Sequence, residues 1–236
     1  MTTKHSYTPL PLPDRRELSD ADGMSGATRY LNLMRMRHSI RDYSDRPVPK
    51  EIITTAIAAA GTAPSGANQQ PWFFAAISDP RLKAQIREAA EAEEEKFYAG
   101  RAGDAWLGAL EPIGTGAKKP HLTQAPWLIV IFAQRYGIAP DGTLQKHYYV
   151  PESVGIATGI LITALHMAGL YCLTHTPNPM GFLNQTLDRP KHEKPLMILA
   201  VGHAAEDATV PAAAKVKKPL EEIMAHYHAP ASEKDM

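Results

Sequence analysis

Arg37-His38-Ser39-Ile40-Arg41 packs three basic side chains and a hydroxyl into five residues, at the end of one apolar helical pattern and the start of an extended segment. A guanidinium is a planar fork of donors that matches a phosphate bidentately, and Ser39 adds a further donor, so a phosphate monoester is the economical ligand. A solvated basic turn would look the same from these residues alone, because charge runs usually face water. The choice between the two depends on what the rest of the chain is built to hold.

Upstream, Tyr30, Leu31, Met34 and Met36 follow helical spacing from Ala27 on, so a helix delivers Arg37 at its C-terminal end. Residues 1–25 are rich in Pro, Asp, Ser and Thr and are expected to form an extended arm. Downstream, Asp45-Arg46-Pro47-Val48-Pro49 is a break, and Ile52, Ile53, Ala56, Ile57 and Ala60 then mark a core-facing helix with Gly61 at its C-terminal cap. Gly61 to Trp72 is loop by composition, a place where backbone N–H groups become free to meet a ligand. Trp72 to Ile77 reads as a buried strand. Asp79-Pro80 opens a helix with Leu82, Ile86 and Ala89 on one stripe, running into Glu91-Ala92-Glu93-Glu94-Glu95-Lys96-Phe97-Tyr98. The acidic run is either a solvated face or the face on which Glu94 and Tyr98, four residues apart, set a carboxylate above a phenol. Residues 99–124, with Gly100, Gly103, Gly108, Gly114 and Gly116, are expected to be either disordered or a lid, since structureless connections beyond about 12 to 15 residues usually have a function.

In the second half, Pro126 to Phe132 is a continuous apolar run of strand length, and Asp141-Gly142 marks a turn. Val154 to Ala168 is apolar on nearly every side and predicts a helix that is buried either at a subunit interface or in the core. Leu170 to Thr176 and Pro195 to Gly202 read as strands, separated by a short helix containing Phe182, Leu183 and Leu187. Leu220, Ile223 and Met224 share one last helical face, and residues 229–236 are expected to be a disordered tail. The fold class is α+β: a central mixed sheet surrounded by helices, one domain over residues 26–228.

Composition removes several alternatives. Lys+Arg 25 against Asp+Glu 25 argues against nucleic acid or an anionic membrane as a general partner. Cys172 is the only cysteine, so neither a disulfide framework nor a thiolate metal site can form within one chain. No signal peptide or apolar run of bilayer length is read, and a soluble, cytoplasmic protein is expected. There is no G-x-G-x-x-G after a strand, no Walker-type phosphate loop and no G-x-S-x-G elbow. His226 and His228 form a poor metal pair, with no carboxylate or thiolate nearby, so no metal is expected.

Four motifs together resemble the nitroreductase superfamily of FMN enzymes, and within it the iodotyrosine deiodinase branch. They are Arg37 to Arg41, Thr62 to Trp72, Leu173-Thr174-His175-Thr176-Pro177 and His192-Glu193-Lys194. The acidic helix with Glu94 and Tyr98, followed by Lys119 and Ala125-Pro126, is that branch's own pattern. The resemblance runs from about Ala27 to Tyr227. It implies a nitroreductase-like FMN-binding fold and an intertwined homodimer with FMN at the subunit interface. Arg37, His38, Ser39, Ile40 and Arg41 would hold the phosphate and ribityl chain, with Ser65 and Gly66 reaching the flavin from the partner's side. Thr176 would donate to flavin N5, flanked by Thr174 and His175, and a donor there favours transfer of electrons singly. Lys217 stands where the deiodinases carry a phosphate-binding Arg, and His38 where they often carry another; Lys keeps the charge but loses the fork.

The same resemblance assigns a substrate site. A halotyrosine is a zwitterion on an acidic phenol: Glu94 would take its ammonium, Lys119 its carboxylate, Tyr98 would supply a hydrogen bond and an aromatic wall, and the Ala67 N–H would meet the phenolate. The implied function is FMN-dependent reductive dehalogenation of halotyrosine, with electrons from NAD(P)H or a separate reductase. A broad NAD(P)H-dependent nitroreductase or quinone reductase, and a non-catalytic flavin-binding protein, are the two alternatives.

Overall fold

The computed structural model describes residues 7–227. Both the expected tail at 229–236 and His228 lie outside them. The chain divides into a unit ending at Arg37 and a unit running from His38. The first unit is built on helix α1 (Asp20–Arg35), which starts well before Ala27 because the Ser19 side chain caps it, accepting from the Asp22 N–H, with Asp20 and Asp22 in the first turn. α1 has no buried side chain, and Met24 and Tyr30 are exposed.

The second unit has one principal sheet, of β1 (Trp72–Ile77), β2 (Trp127–Gln134), β5 (Tyr171–His175) and β6 (Glu193–Gly202), in the order β1-β2-β6-β5. A small hairpin, β3 (Tyr136–Ile138) with β4 (Leu144–Lys146), stands beside it. Every ladder among the described residues is antiparallel, which corrects the mixed sheet expected from the interleaving of helices and strands. Interleaving alone cannot assign direction, because a helical connection can return to either edge of a sheet.

β2 reads as an unbroken apolar run because both of its faces are covered. Leu128, Val130 and Phe132 enter one core with Ile198 and Ala200 of β6, while Ile129, Ile131 and Ala133 enter a second with Leu199 and Val201. The first core is closed by α3 (Pro80–Lys96), which contributes Ile86 and Ala90, and by α7 (Phe182–Thr186), which contributes Leu183. The second is closed by α2 (Lys50–Gly61), through Ile53, Ala56 and Ala60, and by α6 (Val150–Met167), through Val154, Ala157, Leu161 and Leu165. The sheet is thus sandwiched between two helical layers.

α6 resolves its two open readings in part: one face is core, while Gly155, Ile156, Gly159 and Met167 on the other are exposed. Contrary to the reading of no bilayer-length stretch, α6 has the length and composition of a membrane span, with mean hydropathy 1.3 over 18 residues. Gly, Thr and His interrupt its apolar run in the sequence, and much of that hydropathy comes from the residues packed in the second core.

The segment at 99–124 is not structureless. It holds a π-helical turn at its start (Phe97–Arg101), α4 (Asp104–Leu110), a 3-10 turn (Glu111–Ile113) and α5 (His121–Gln124). A short helix α8 (Ala212–Lys215) and a 3-10 turn (Leu220–Glu222) follow the sheet.

Candidate active site

Arg41 is placed by its neighbours. Tyr43 forms a β-bridge with Ala204, its hydroxyl donates to Ala200 O at 2.8 Å, and the Ala205 N–H donates to Asp42 O at 3.1 Å. This moors the stretch from Arg41 to Ser44 against the end of β6. Ile40 is 3% exposed and its side chain belongs to the first core. His38, Ser39 and Arg41 are half-buried, and their side chains make no hydrogen bond or ion pair among the described residues. A cavity of about 430 Å³ opens beside Arg41, lined also by Asp42, Glu111, Ile113, Thr209 and Pro211. The uncommitted Arg41 guanidinium at this cavity, with the uncommitted Ser39 hydroxyl two residues before it in the chain, fits the phosphate and ribityl chain of FMN. Arg37 is half-buried and closes the first unit.

Glu94, Tyr98 and Lys119 do converge. Lys119 Nζ lies 3.1 Å from Glu94 Oε2, donates to Thr115 Oγ1 at 3.2 Å, and sits 5.8 Å from the centroid of the Tyr98 ring. The two charged side chains are only 5% and 12% exposed. Glu94 comes from the last turns of α3, and the wider π-helical turn after it carries Tyr98, a local distortion often found at functional sites. Phe97 supports that turn, packing edge-on against both Tyr98 and Trp106 at centroid distances of 5.3 and 5.0 Å.

The acidic run is accordingly more than a solvated face. Arg101 reaches Glu93 at 3.1 Å, Lys119 reaches Glu94, and Lys118 reaches Glu95 at 2.8 Å. Arg101 also donates to the Glu93 and Asn178 carbonyls. Successive helix residues point about 100° apart, so the cations of the 99–124 segment approach the end of α3 from several directions.

At the end of β5, His175 packs edge-on against His121, ring centroids 5.6 Å apart, and the Nε2 atoms of both are buried without a hydrogen-bond partner among the described residues. Burial pushes His121 down to about 4 and His175 to about 3, and the positive charges of Lys119 and Arg41 push the same way. Both imidazoles are therefore neutral near pH 7. Thr174 and Thr176, on either side of His175, are exposed, and the Thr176 hydroxyl has no hydrogen bond among the described residues.

The Ser65 to Gln70 loop is held elsewhere. Gln69 Nε2 donates to Lys146 O at 2.8 Å, the Tyr148 N–H donates to Gln69 Oε1 at 2.7 Å, and the Gly66 N–H donates to Ser153 Oγ at 3.3 Å. Ala67, Asn68 and Gln70 have φ of 50°, 52° and 49°, a left-handed conformation that non-glycine residues adopt at a cost. The Ala67 N–H makes no hydrogen bond among the described residues, so the strained loop presents an available donor. No hydrogen bond, ion pair or ring contact among the described residues links this loop to Glu94, Tyr98 and Lys119. Lys217, beyond α8, is exposed and makes no such contact either.

Sequence reading missed Thr115, Glu91, Arg87 and His121. Thr115 lies in an aperiodic Gly-rich stretch and carries no signal. The four-residue spacing of Arg87 and Glu91, an ion pair at 2.8 Å, is the one cue that was legible.

Known proteins resemble the chain strongly. The family model described as "Nitroreductase family" matches residues 34–203. The iodotyrosine deiodinase of Haliscomenobacter hydrossis is 50% identical over 188 residues, covering 80% of this chain and 85% of that protein. Iodotyrosine deiodinase 1 of Homo sapiens is 45% identical over 196 residues, covering 83% of this chain and 67% of that protein. Among solved structures, an oxidized iodotyrosine deiodinase bound to FMN and 3-iodo-L-tyrosine superposes with a TM-score of 0.70 at 28% identity, over 85% of this chain and 99% of that one.

Proposed function

The chain belongs to the nitroreductase family, on its iodotyrosine deiodinase branch, and from that premise we propose that it is an FMN-dependent reductive dehalogenase of halogenated tyrosine. The observation that carries this reading is the buried pair of Glu94 and Lys119 beside Tyr98, assembled from two elements of the chain. A nitroarene or quinone offers neither an ammonium nor a carboxylate to such a pair. A halotyrosine offers both.

FMN, when bound, supplies the electrons, transferred singly. Arg37, His38, Ser39 and Arg41 would hold its phosphate and ribityl chain, with Lys217 as a further cation, and Ser65, Gly66, Thr174, His175 and Thr176 would border the flavin. Thr176 would donate its hydroxyl at N5. On the substrate side, the amino-acid ammonium takes the place of Lys119 at Glu94, and the carboxylate takes the place of Glu94 at Lys119. The buried ion pair is thereby exchanged for two intermolecular ones, and no desolvated charge is left alone. The Ala67 N–H donates to the phenolate, and closure of the lid over the substrate excludes water and strengthens each of these contacts.

Because no hydrogen bond, ion pair or ring contact among the described residues joins the Ser65 to Gln70 loop to the Glu94–Lys119 pair, the complete site is read as shared between two copies in a homodimer. The exposed apolar side chains of α1 and the uncovered face of α6 favour that assembly. The reductant is read as NAD(P)H or a separate reductase. The test is halide release from 3-iodo-L-tyrosine by the FMN-loaded, dithionite-reduced protein. Stoichiometric iodide and tyrosine are expected; no halide at millimolar substrate, with nitroarenes turned over instead, would overturn the reading.

A further inference from the structure

We propose that Glu91, supported by Arg87, is a positioning residue of the substrate site: it holds the backbone of Lys119 so that the ammonium of that residue meets Glu94 one turn further along α3. This rests on the proposed role of Lys119 as the anchor for the substrate carboxylate. The Lys119 N–H donates to Glu91 Oε1 at 2.7 Å, and Arg87 Nε donates to the same oxygen at 2.8 Å. Glu91 Oε2 faces Lys118 at 3.7 Å, and the Glu91 side chain is 14% exposed. Glu91 and Glu94 are three apart and share a helix face, so α3 grips Lys119 at two points, by its backbone and by its ammonium.

The grip extends along the helix. Arg87 Nη1 donates to Thr123 Oγ1 at 2.9 Å, and the buried Lys83 ammonium donates to the carbonyls of Ala125 at 2.7 Å, Thr123 at 3.3 Å and Pro126 at 3.4 Å. One charged stripe of α3 therefore sets the path of the chain from Lys119 into β2. Burial pushes the Glu91 carboxyl up, but the hydrogen bonds from the Lys119 backbone and Arg87 outweigh it and hold the group below its ordinary range. It is ionised near pH 7, as the Arg87 contact requires. Groups that aim a binding residue in this way act on affinity without touching the ligand.

The experiment compares FMN-loaded wild type, Glu91→Ala and Glu91→Gln for binding of 3-iodo-L-tyrosine and of 2-iodophenol, which has the halophenol but neither amino-acid charge. Binding is read by quenching of flavin fluorescence, and backbone hydrogen exchange of residues 115–122 is followed without ligand. Glu91→Ala is expected to weaken iodotyrosine binding about tenfold or more while moving iodophenol less than about twofold, and to speed exchange at Lys119 about tenfold. Glu91→Gln, whose amide oxygen can still accept the Lys119 N–H, is expected to recover most of the loss. An equal loss for both ligands, no loss, or unchanged exchange at Lys119 would each overturn the proposal. If wild type does not prefer iodotyrosine to iodophenol, the substrate reading itself fails, and the exchange experiment still decides whether Glu91 places Lys119.

Discussion

Lys119 Nζ and Glu94 Oε2 stand 3.1 Å apart with both side chains nearly out of water, so the groups proposed to receive a zwitterion neutralise one another in the free chain. Breaking a buried pair from one side leaves a charge desolvated and alone, which costs about 3–5 kcal/mol, whereas removing both partners can be close to neutral.

Stability and binding should therefore respond differently to the same substitutions. Lys119→Met and Glu94→Gln are each expected to destabilise the fold, and the double variant less than the sum. For iodotyrosine, each single variant is expected to lose about 2–4 kcal/mol of binding with FMN content unchanged. Urea unfolding and ligand titration on the four proteins check this; additive stability losses would show that the pair is not coupled.

Gly66 tolerates no side chain where it is. A Cβ there would lie 2.7 Å from Tyr148 O, a backbone atom with little room to give. Gly66→Ala is expected to cost on the order of 1–3 kcal/mol and to lower FMN affinity by displacing the strained loop. Gly61→Ala, at the end of α2 with open space around it, is expected to be neutral or stabilising by up to about 1 kcal/mol. Thermal melts with and without FMN compare the two; equal behaviour would remove the packing argument.

The pair His121 and His175 should leave a mark on stability against pH. Their folded values lie near 4 and 3, below the ordinary 6.5, so between those limits the unfolded chain binds protons that the folded chain refuses. Stability is then full above about pH 6.5 and falls with pH, by up to about 1.4 kcal/mol per unit for each histidine. His203 is also held below its ordinary value, mainly by burial, and adds to the same slope. Urea unfolding between pH 7 and 4.5 measures it. His121→Phe and His175→Phe should flatten the profile, and a wild-type profile already flat over that range would contradict the neutral buried pair.

Thr176→Ala should separate positioning at flavin N5 from cofactor binding. FMN content is expected to be unchanged, since the phosphate contacts lie on another segment, while the difference between the first and second one-electron reduction potentials shifts toward pairwise reduction. Spectroelectrochemical titration checks this. Identical potentials in variant and wild type would leave Thr176 without its proposed role.

What could be read from the sequence follows the physics of each element. β2 and the stripe of α2 were legible because burial on two faces, or on one helical face, imposes a pattern on composition. The start of α1 was not, because a polar cap and an acidic first turn resemble an arm when no apolar stripe accompanies them. Strand direction is a property of pairing partners and leaves no periodicity, so the antiparallel sheet was out of reach. Within the site, Glu94, Tyr98 and Lys119 came through resemblance. Their mutual pairing did not, since it brings the far end of a Gly-rich segment back onto the helix before it, and nothing in local spacing records that return.

The stripe of α3 also constrains how this chain can vary in length. Lys83, Arg87, Glu91 and Glu94 take hold of successive points between Lys119 and Pro126, and their spacing is that of helical turns. One residue inserted or deleted between Lys83 and Glu94 would rotate every later grip by about 100° and shift it by about 1.5 Å. Between Ala102 and Gly114, no side-chain hydrogen bond or ion pair to α3 is made among the described residues. Indels among relatives of this chain should accordingly collect between Ala102 and Gly114 and be missing from α3.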